Sequence, residues 1–423
     1  MKRAPDAVRR GSPRGWAAGS VQGSVRDFAA VAALFVTNGL AVGVFGGSLP
    51  GLREHLSLQP GHIVGVLVAA AVFAVVTMNL SGALADRRGA RAPALVGGSA
   101  MAVGTVVMGA APDYLVLVVG SAVFGLGNGA MDVSMNALGV SVEQARGRPV
   151  MSRLHACFSI GNLAGALVVV VLGGLVVAGT APQWSLWSAA LVVVVLLAAL
   201  VRVTPQSPPR SDAGKDTGAS GNGASGGNGD GRRGTAAAAT WLLAAMAVCF
   251  GLTEGTAIDW SSLHVTDVAG VSPSAGAWGL ACVSGFMVVI RLAGDSVVER
   301  LGRSAVVRGG SACALLGYLL TASTSGLPVI LLGWCLVGLG VGLIAPQIYG
   351  LAGHIGGGRG LALVVSFGYA AFLVGPALIG FVASHSGLQR AMLVPVVTAV
   401  GLIVMSARLP AIPDAEREVA PRP

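Results

Sequence analysis

Twelve apolar stretches, six on either side of one long polar break, limit what this chain can fold into. Each is about 20 residues or longer, the length that a helix needs to cross a bilayer core. The stretches are 28–49, 62–84, 92–111, 114–140, 151–178 and 184–203, then 239–261, 274–298, 305–323, 327–350, 360–384 and 388–407. Only 11% of the 423 residues are charged, whereas soluble domains carry about 25%. This excludes a water-soluble enzyme and a disordered chain, and predicts an all-α polytopic membrane protein with twelve transmembrane helices.

Polar segments divide the chain into five parts. Residues 1–26 form a basic N-terminal arm, residues 204–238 are rich in Gly, Ser and Asn, and residues 409–423 form a short tail. The middle segment lacks the apolar residues of a core, so we expect a flexible linker. It joins two six-helix bundles, residues 27–203 and residues 239–408.

The basic residues indicate how the chain lies in the membrane. With the N-terminus inside, 24 of the 27 Lys and Arg residues fall in inner segments, Arg53 and Arg390 fall in outer loops, and Arg291 lies within a span. This asymmetry follows the positive-inside rule. We therefore expect a protein of the cell membrane with both termini cytoplasmic, and the net charge of +9 needs no nucleic-acid partner. The five cysteines have no metal-binding spacing and are expected to be small core residues.

An internal repeat relates the two halves. Gly89 and Gly302 are 213 residues apart, and so are Gly125 and Gly338, which begin the similar segments GLGNG and GLGVG. Duplicated six-helix halves are typical of transporters that bind cargo between two bundles. The sequence therefore predicts pseudo-symmetric bundles.

The loop after the second span carries a motif. Its members, in the order Gly, three residues, Asp, Arg, one residue, Gly and a further basic residue, are Gly82, Asp86, Arg87, Gly89 and Arg91. The motif resembles the signature loop of the major facilitator superfamily, and its partial counterpart in the second half is Glu299, Arg300 and Gly302. The resemblance covers residues 27–408 and implies alternating access, with this loop as a gating motif.

Two further stretches narrow the resemblance. GAMDVSMNA at 129–137 and EGTAIDWS at 254–261, together with His155, are similar to the bacterial subgroup related to the fucose permease.

The residues of the signature loop have physical roles of their own. Gly89 and Gly302 would allow tight turns. Asp86 and its counterpart Glu299 would act as gating residues by forming bonds in one conformation only. The alternative is that Arg87, Arg88 and Arg91 merely fix the topology.

Asp132 and Asn136 are candidates for substrate binding or proton coupling. They lie four residues apart on one face of the fourth span, and a charge inside a membrane faces a cavity, pairs or binds protons. In the fucose permease the position that Asp132 matches is an acidic residue linked to proton coupling. The second carboxylate of that permease is replaced here by Asn38 in the first span. The alternative is an aspartate that is hydrogen-bonded to a neighbouring helix.

Charged residues in the second half are also candidates. Glu254 lies deeper than Asp259, so we expect Glu254 to face a cavity and Asp259 with Trp260 to mark the outer interface, where Trp is favoured. Arg291 and Asp295 are four residues apart and are expected to neutralise each other. Alternatively, Arg291 binds an anionic substrate.

Polar residues of other spans complete the candidate set. His155, Ser159 and Asn162 form a stripe along the fifth span, which serves either function or helix packing. Gln347 follows Pro346 in the tenth span, where a broken helix could expose backbone to a cavity. Tyr369 is a weaker candidate for substrate contact.

The expected function is secondary active transport of a small polar solute, coupled to protons, by a monomer in the lipid bilayer. A sugar is suggested by the resemblance alone. No GxxxxGK[ST] loop for ATP occurs, so the proton gradient is the expected energy source and no cofactor or metal is expected. Efflux of a drug-like compound or secreted metabolite is the alternative, although the Gly-Pro motif that drug antiporters carry in the fifth span is missing. An intramembrane enzyme that uses His155 with Ser159 or Asp132 is a remote alternative.

Overall fold

The computed structural model describes residues 23–177, 179–206 and 229–409, and is helical almost throughout them. In these residues twelve helices are long and apolar enough to cross a membrane, which confirms the predicted number. We number them α1 to α12. The first half contains α1 (Val25–His55), α2 (Gly61–Arg88), α3 (Arg91–Gly109), α4 (Tyr114–Arg146), α5 (Met151–Leu175) and α6 (Ala181–Leu200). The second contains α7 (Ala237–Ala269), α8 (Pro273–Leu292), α9 (Arg303–Ser323), α10 (Leu327–Gly357), α11 (Arg359–Ser386) and α12 (Leu388–Ser406). The predicted arm up to residue 22, residues 207–228 of the linker and the tail from residue 410 lie outside the described residues.

Several helix boundaries differ from those predicted by hydropathy. The first helix begins with a capping box formed by Ser24 and Asp27 and continues past Pro50 to His55, six residues beyond the predicted end. Proline is tolerated there because neighbouring groups in membrane bundles can satisfy the backbone groups that it frees. The tenth helix extends to Gly357, whose φ of 57° separates α10 from α11. A short helix, Gly294–Leu301, continues α8 after a break at Ala293.

Within each half, short connections make successive helices antiparallel. We call the end where Arg87, Arg148 and Arg300 lie the basic end, and the other end, with the loops at 56–59 and 324–326, the opposite end. At the basic end, Gly89 has φ 88° and ψ 156°, and Gly302 has φ 78° and ψ 157°. This region of φ favours glycine. The two turns of the predicted repeat therefore have the same backbone conformation.

The glycine segments of α4 and α10 make equivalent contacts. Gly125 packs against the backbone of Ala70 in α2, and Gly338 packs against the backbone of Val283 in α8, with no space for a Cβ at either glycine. Both members of this contact are shifted by the same 213 residues. Small residues allow membrane helices to approach this closely, so the repeat predicted from sequence is a repeat of helix packing.

The two halves meet mainly through two pairs of helices, α5 with α8 and α2 with α11. Each pair is the pseudo-symmetric counterpart of the other. Near the opposite end, Gly380 of α11 abuts Val64 of α2, and α1 packs against α7. Functional side chains on these helices are therefore placed where one half can contact the other.

The outer faces of the bundles are apolar. Valines recur at helical spacing on α12, where Val397, Val400 and Val404 are exposed, and exposed Val96, Val103 and Val106 follow the same pattern on α3. Exposed apolar stripes on several helices are expected of a protein surrounded by lipid.

Candidate functional site

Arg291 of α8 is the centre of a buried polar cluster between the halves. Its Nη2 donates a hydrogen bond to Glu254 Oε1 of α7 at 3.1 Å, forming an ion pair. Its Nη1 donates to Ser159 Oγ of α5 at 2.6 Å and to the carbonyl oxygen of His155 at 3.3 Å. Arg291 and Glu254 are 9% and 8% exposed. The pair is therefore shielded from solvent, and its cation also binds the other half of the protein.

The ion pair differs from the one that the sequence suggested. We predicted that Arg291 would pair with Asp295, four residues further along the same helix. Instead, α8 is interrupted at Ala293, and Asp295 lies beyond the break as an exposed residue. Glu254 is brought to Arg291 by the packing of α7 on α8.

The third donor nitrogen of Arg291 reaches the backbone of α10. Its Nε donates to the carbonyl oxygen of Gly342 at 3.1 Å. The helix is interrupted at Gly342 and Leu343, four residues before Pro346. A broken tenth helix was predicted, but Gln347, the residue proposed there for substrate contact, is only half-buried and has no bond to this cluster.

A second polar cluster joins α4 to α11. Asn136 Nδ2 donates to Asp132 Oδ1 at 3.2 Å, as their spacing suggested, and also to the carbonyl oxygen of Asp132. The hydroxyl of Tyr369 donates to Asp132 Oδ2 at 3.3 Å. Since α4 and α11 belong to different halves, this hydrogen bond also crosses between them. No cationic side chain among the described residues forms an ion pair with Asp132.

Two further tyrosines lie in the second half. The hydroxyl of Tyr349 of α10 lies next to Gly368 of α11. Near Glu254, the hydroxyl of Tyr318 donates to the carbonyl oxygen of Thr253. These two tyrosines were not predicted from the sequence, because an aromatic residue in a span carries no signal for which way it faces.

The stripe on α5 divides between two neighbours. Ser159 faces Arg291, whereas Asn162 packs against Gly43 of α1 and the His155 ring contacts Phe35 with centroids 5.5 Å apart. Asn38 of α1 is buried and donates to Asn128 Oδ1 of α4 at 3.2 Å. Asn38 and Asn162 therefore hold the first half together, whereas the Ser159 hydroxyl and the His155 carbonyl group contact Arg291 of the second half.

The signature-loop residues lie at the basic end. Arg91 donates a hydrogen bond to the carbonyl oxygen of Val201 at the end of α6. Asp86, Arg87, Glu299 and Arg300 are exposed. Gly82 faces Val133 of α4, so Gly82 and Arg91 both contact their own half of the protein.

The opposite end contains an ion pair that the sequence analysis missed. Arg53 of α1 binds both carboxylate oxygens of Asp267 of α7, joining the halves. They line a cavity of about 590 Å³ with residues of α2, α7, α11 and α12. Trp260 lines the same cavity and is 3% exposed. Trp260 was predicted to mark the outer membrane interface; it lies near the opposite end, but it is buried beside this cavity and does not face lipid.

Known proteins share this architecture. A bacterial homologue of the human lysosomal transporter Spinster, in an inward-facing and unoccupied conformation, has a TM-score of 0.69 and 14% identity, with 91% of this chain and 96% of that one covered. The fucose:proton symporter of E. coli has a TM-score of 0.59 and 15% identity, with 92% and 99% covered. At these identities the likeness concerns the fold.

Sequence comparison identifies the family. An uncharacterized transporter of Sinorhizobium fredii is 30% identical over 366 residues, which cover 85% of this chain and 92% of that protein. The family description of the Major Facilitator Superfamily matches residues 31–356. With twelve apolar helices in two equivalent halves, the chain belongs to the Major Facilitator Superfamily of multi-pass membrane transporters.

Proposed function

We propose that this protein moves a small polar solute across the cell membrane by alternating access, coupled to protons through Asp132. The observation that carries the proposal is the hydrogen bond from Tyr369 to Asp132, because it joins the two halves at a carboxylate inside a membrane helix. An ionised carboxylate accepts a hydrogen bond more strongly than a neutral acid does. Protonation of Asp132 would therefore weaken this contact between the halves.

The surroundings of Asp132 support a proton-binding role. Its oxygens accept bonds from Asn136 and Tyr369, both neutral donors, and a charge held without a cationic partner inside a membrane is costly. A proton removes that charge. In this proposal proton binding and release at Asp132 bias the equilibrium between two arrangements of the halves, and transport needs such a bias.

The orientation and the solute are parts of the same proposal. By the positive-inside rule the basic end faces the cytoplasm, as do both termini and the linker. The resemblance to the fucose-permease subgroup favours a sugar or a related metabolite, carried by a monomer. The alternative of efflux uses the same fold and the same carboxylate, and differs only in the direction of net flux.

The test is solute flux in proteoliposomes with an imposed pH gradient. A panel of sugars, nucleosides and drug-like compounds is offered to the wild type and to Asp132→Asn. Asp295→Asn, which changes an exposed carboxylate outside the clusters, is the matched control. We expect the gradient to drive accumulation of at least one solute by the wild type and by the control, and Asp132→Asn to retain exchange of that solute without gradient-driven accumulation.

Two results would contradict the proposal. If the pH gradient drives no flux of any solute in the panel, proton coupling is wrong. If Asp132→Asn accumulates the solute with an unchanged dependence on pH, the proton is carried elsewhere. Reversing the gradient distinguishes import from efflux.

A further inference from the structure

The break in α10 has a covalent cause. In a regular α-helix the carbonyl oxygen of residue 342 accepts a hydrogen bond from the N–H of residue 346. Residue 346 is proline, which has no N–H and whose ring displaces the carbonyl four residues before it. The helix is interrupted at Gly342 and Leu343 and resumes at Ile344. The Gly342 carbonyl is thus deprived of its usual partner within the helix.

That carbonyl accepts a hydrogen bond from Arg291. The distance from Nε to the oxygen is 3.1 Å. Gly342 lies directly against α8, where a Cβ would collide with Ile290, so the guanidinium can reach the backbone of α10. We propose that Pro346 is a positioning residue for Arg291, because by lacking an N–H it leaves the Gly342 carbonyl free to hold the guanidinium where it reaches α5 of the other half.

The consequence of this positioning lies at the contact between the halves. With Nε fixed on Gly342, the rigid fork of the guanidinium directs Nη2 to Glu254 and Nη1 to Ser159 and the His155 carbonyl. The first of these bonds stays within the second half, and the other two cross to the first half. Pro346 therefore controls how firmly α5 and α8 are held together, an inference that rests on the proposed alternating access.

Charge alone does not account for the arrangement. Glu254 would neutralise a lysine at position 291 as well as an arginine. An ammonium group, however, is a point charge without the planar fork that presents Nε and both Nη atoms in fixed directions. Arg291→Lys therefore preserves the ion pair and removes the link through Gly342, and it separates the two effects.

The direct test measures the separation of α5 and α8 without any solute. Spin labels are attached at Ile160→Cys in α5 and Val289→Cys in α8, two exposed positions, in full-length protein in lipid nanodiscs. The native cysteines are first replaced by serine or alanine. They are Cys157, Cys249, Cys282, Cys313 and Cys335. Pulsed electron paramagnetic resonance then gives the populations of short and long distances.

We expect Pro346→Ala to shift the ratio of short to long distances about tenfold towards long, the effect of losing one hydrogen bond to a charged group. Arg291→Lys should shift it in the same direction. Pro376→Ala is the matched control, because Pro376 lies within α11 and the carbonyl four residues before it, that of Phe372, binds no described side chain of the cluster. It should leave the distances unchanged.

A second measurement uses protein that retains its native cysteines and carries no spin label. It therefore does not depend on whether the cysteine-free, labelled protein folds. The unfolding temperature is compared for Pro346→Ala in the wild type and in Arg291→Met. Alanine is a better helix former than proline, so the substitution by itself favours folding. If Pro346 acts through Arg291, this gain is larger in Arg291→Met, where no hydrogen bond remains to be lost.

The proposal is overturned if Pro346→Ala keeps the wild-type distance distribution, or if its effect on unfolding temperature is the same in both backgrounds. Both measurements are made without cargo. A failure of this inference is therefore distinguishable from a failure of transport, which would appear only in the flux assay.

Discussion

Arg291 shows how a membrane protein can retain a buried charge in the last turn of a transmembrane helix. Four of its hydrogen bonds reach α5, α7 and α10, and Glu254 balances its charge. A buried ion pair adds little stability compared with apolar residues of the same size, but removing one partner leaves an uncompensated charge. Removing one partner of the pair should therefore cost more free energy than the intact pair contributes to stability.

This difference leads to a prediction at the residue scale. Glu254→Gln or Arg291→Met alone should each lower the free energy of unfolding by about 3–5 kcal/mol. The double variant should lose much less than the sum, since it leaves no unpaired charge. Unfolding in detergent micelles, followed by circular dichroism, measures all three.

The partly exposed pair at the opposite end, Arg53 with Asp267, provides the comparison. Arg53→Met and Asp267→Asn should each cost about 0–1 kcal/mol, because water solvates the remaining partner. If the Glu254 and Arg291 effects simply add in the double variant, the two side chains do not stabilise each other and the buried pair has been misinterpreted.

The sequence predicted these residues better than their partners. Asp132 and Asn136 were placed on one helix face by their spacing, and the structure joins them. Arg291 was given the nearest acid along the helix, although its partner is Glu254, 37 residues earlier in the chain. Contacts within one helix follow from its geometry, whereas contacts between helices depend on rotations and tilts that are set by all their neighbours.

At the scale of helices, glycines hold each half together. Gly127 of α4 packs on the backbone of Gly97 and Met101, and Gly340 of α10 packs on Gly310 and Ala314, again with an offset of 213 residues. The buried acidic residues do not follow this repeat. The position equivalent to Asp132 is Ala345, and the position equivalent to Glu254 is Ala41. The halves therefore share their packing and differ in their chemistry.

Adding a methyl group tests the glycine contacts. Gly125→Ala and Gly338→Ala would each place a Cβ against the backbone of the adjacent helix, and should lower the free energy of unfolding by about 1–3 kcal/mol. Gly309→Ala on α9 has open space around it and should instead gain about 0.5–1 kcal/mol from reduced backbone entropy. Equal losses in all three would mean that helix contact is not the cause. Thermal unfolding in micelles is the measurement.

Hydropathy predicted the helices because a span of apolar residues is a local property of composition. It was poorer at their ends, as for α10, which continues seven residues beyond the predicted position 350 to Gly357. At the basic end, helices continue past the apolar region into polar residues, so hydropathy does not indicate where they end. The position of Pro346 in the sequence is enough to predict that the Gly342 carbonyl lacks its helical partner. The hydrogen bond that this carbonyl accepts from Arg291 could not be predicted, because it depends on how α8 packs against α10.

At the scale of the molecule, three sets of polar side-chain contacts described above join the halves. They are Arg53 with Asp267 near the opposite end, Tyr369 with Asp132, and Arg291 with Ser159 and His155. Each half is internally close-packed through its glycine contacts. Alternating access is therefore expected to break contacts between the halves and to preserve those within them.

Linking the ends of α1 and α7 should stop that motion. In a background without native cysteines, Arg53→Cys with Asp267→Cys is treated with a short bifunctional maleimide, which should abolish gradient-driven flux of the solute found in the panel. Either single cysteine with the same reagent should keep its flux. Undiminished flux in the fully cross-linked protein, verified by mass spectrometry, would show that these ends need not separate.

The attraction between Arg53 and Asp267 depends on the salt concentration of the surrounding solution. Its two side chains are partly exposed, at 19% and 30%, so dissolved ions reach them and screen their attraction over about 10 Å at 0.1 M salt. The closed arrangement of the opposite end should accordingly weaken as the medium becomes more saline. In the proposed orientation, with the opposite end towards the external medium, the same carrier would open more easily when a cell passes from fresh to brackish water, with no change in the chain itself.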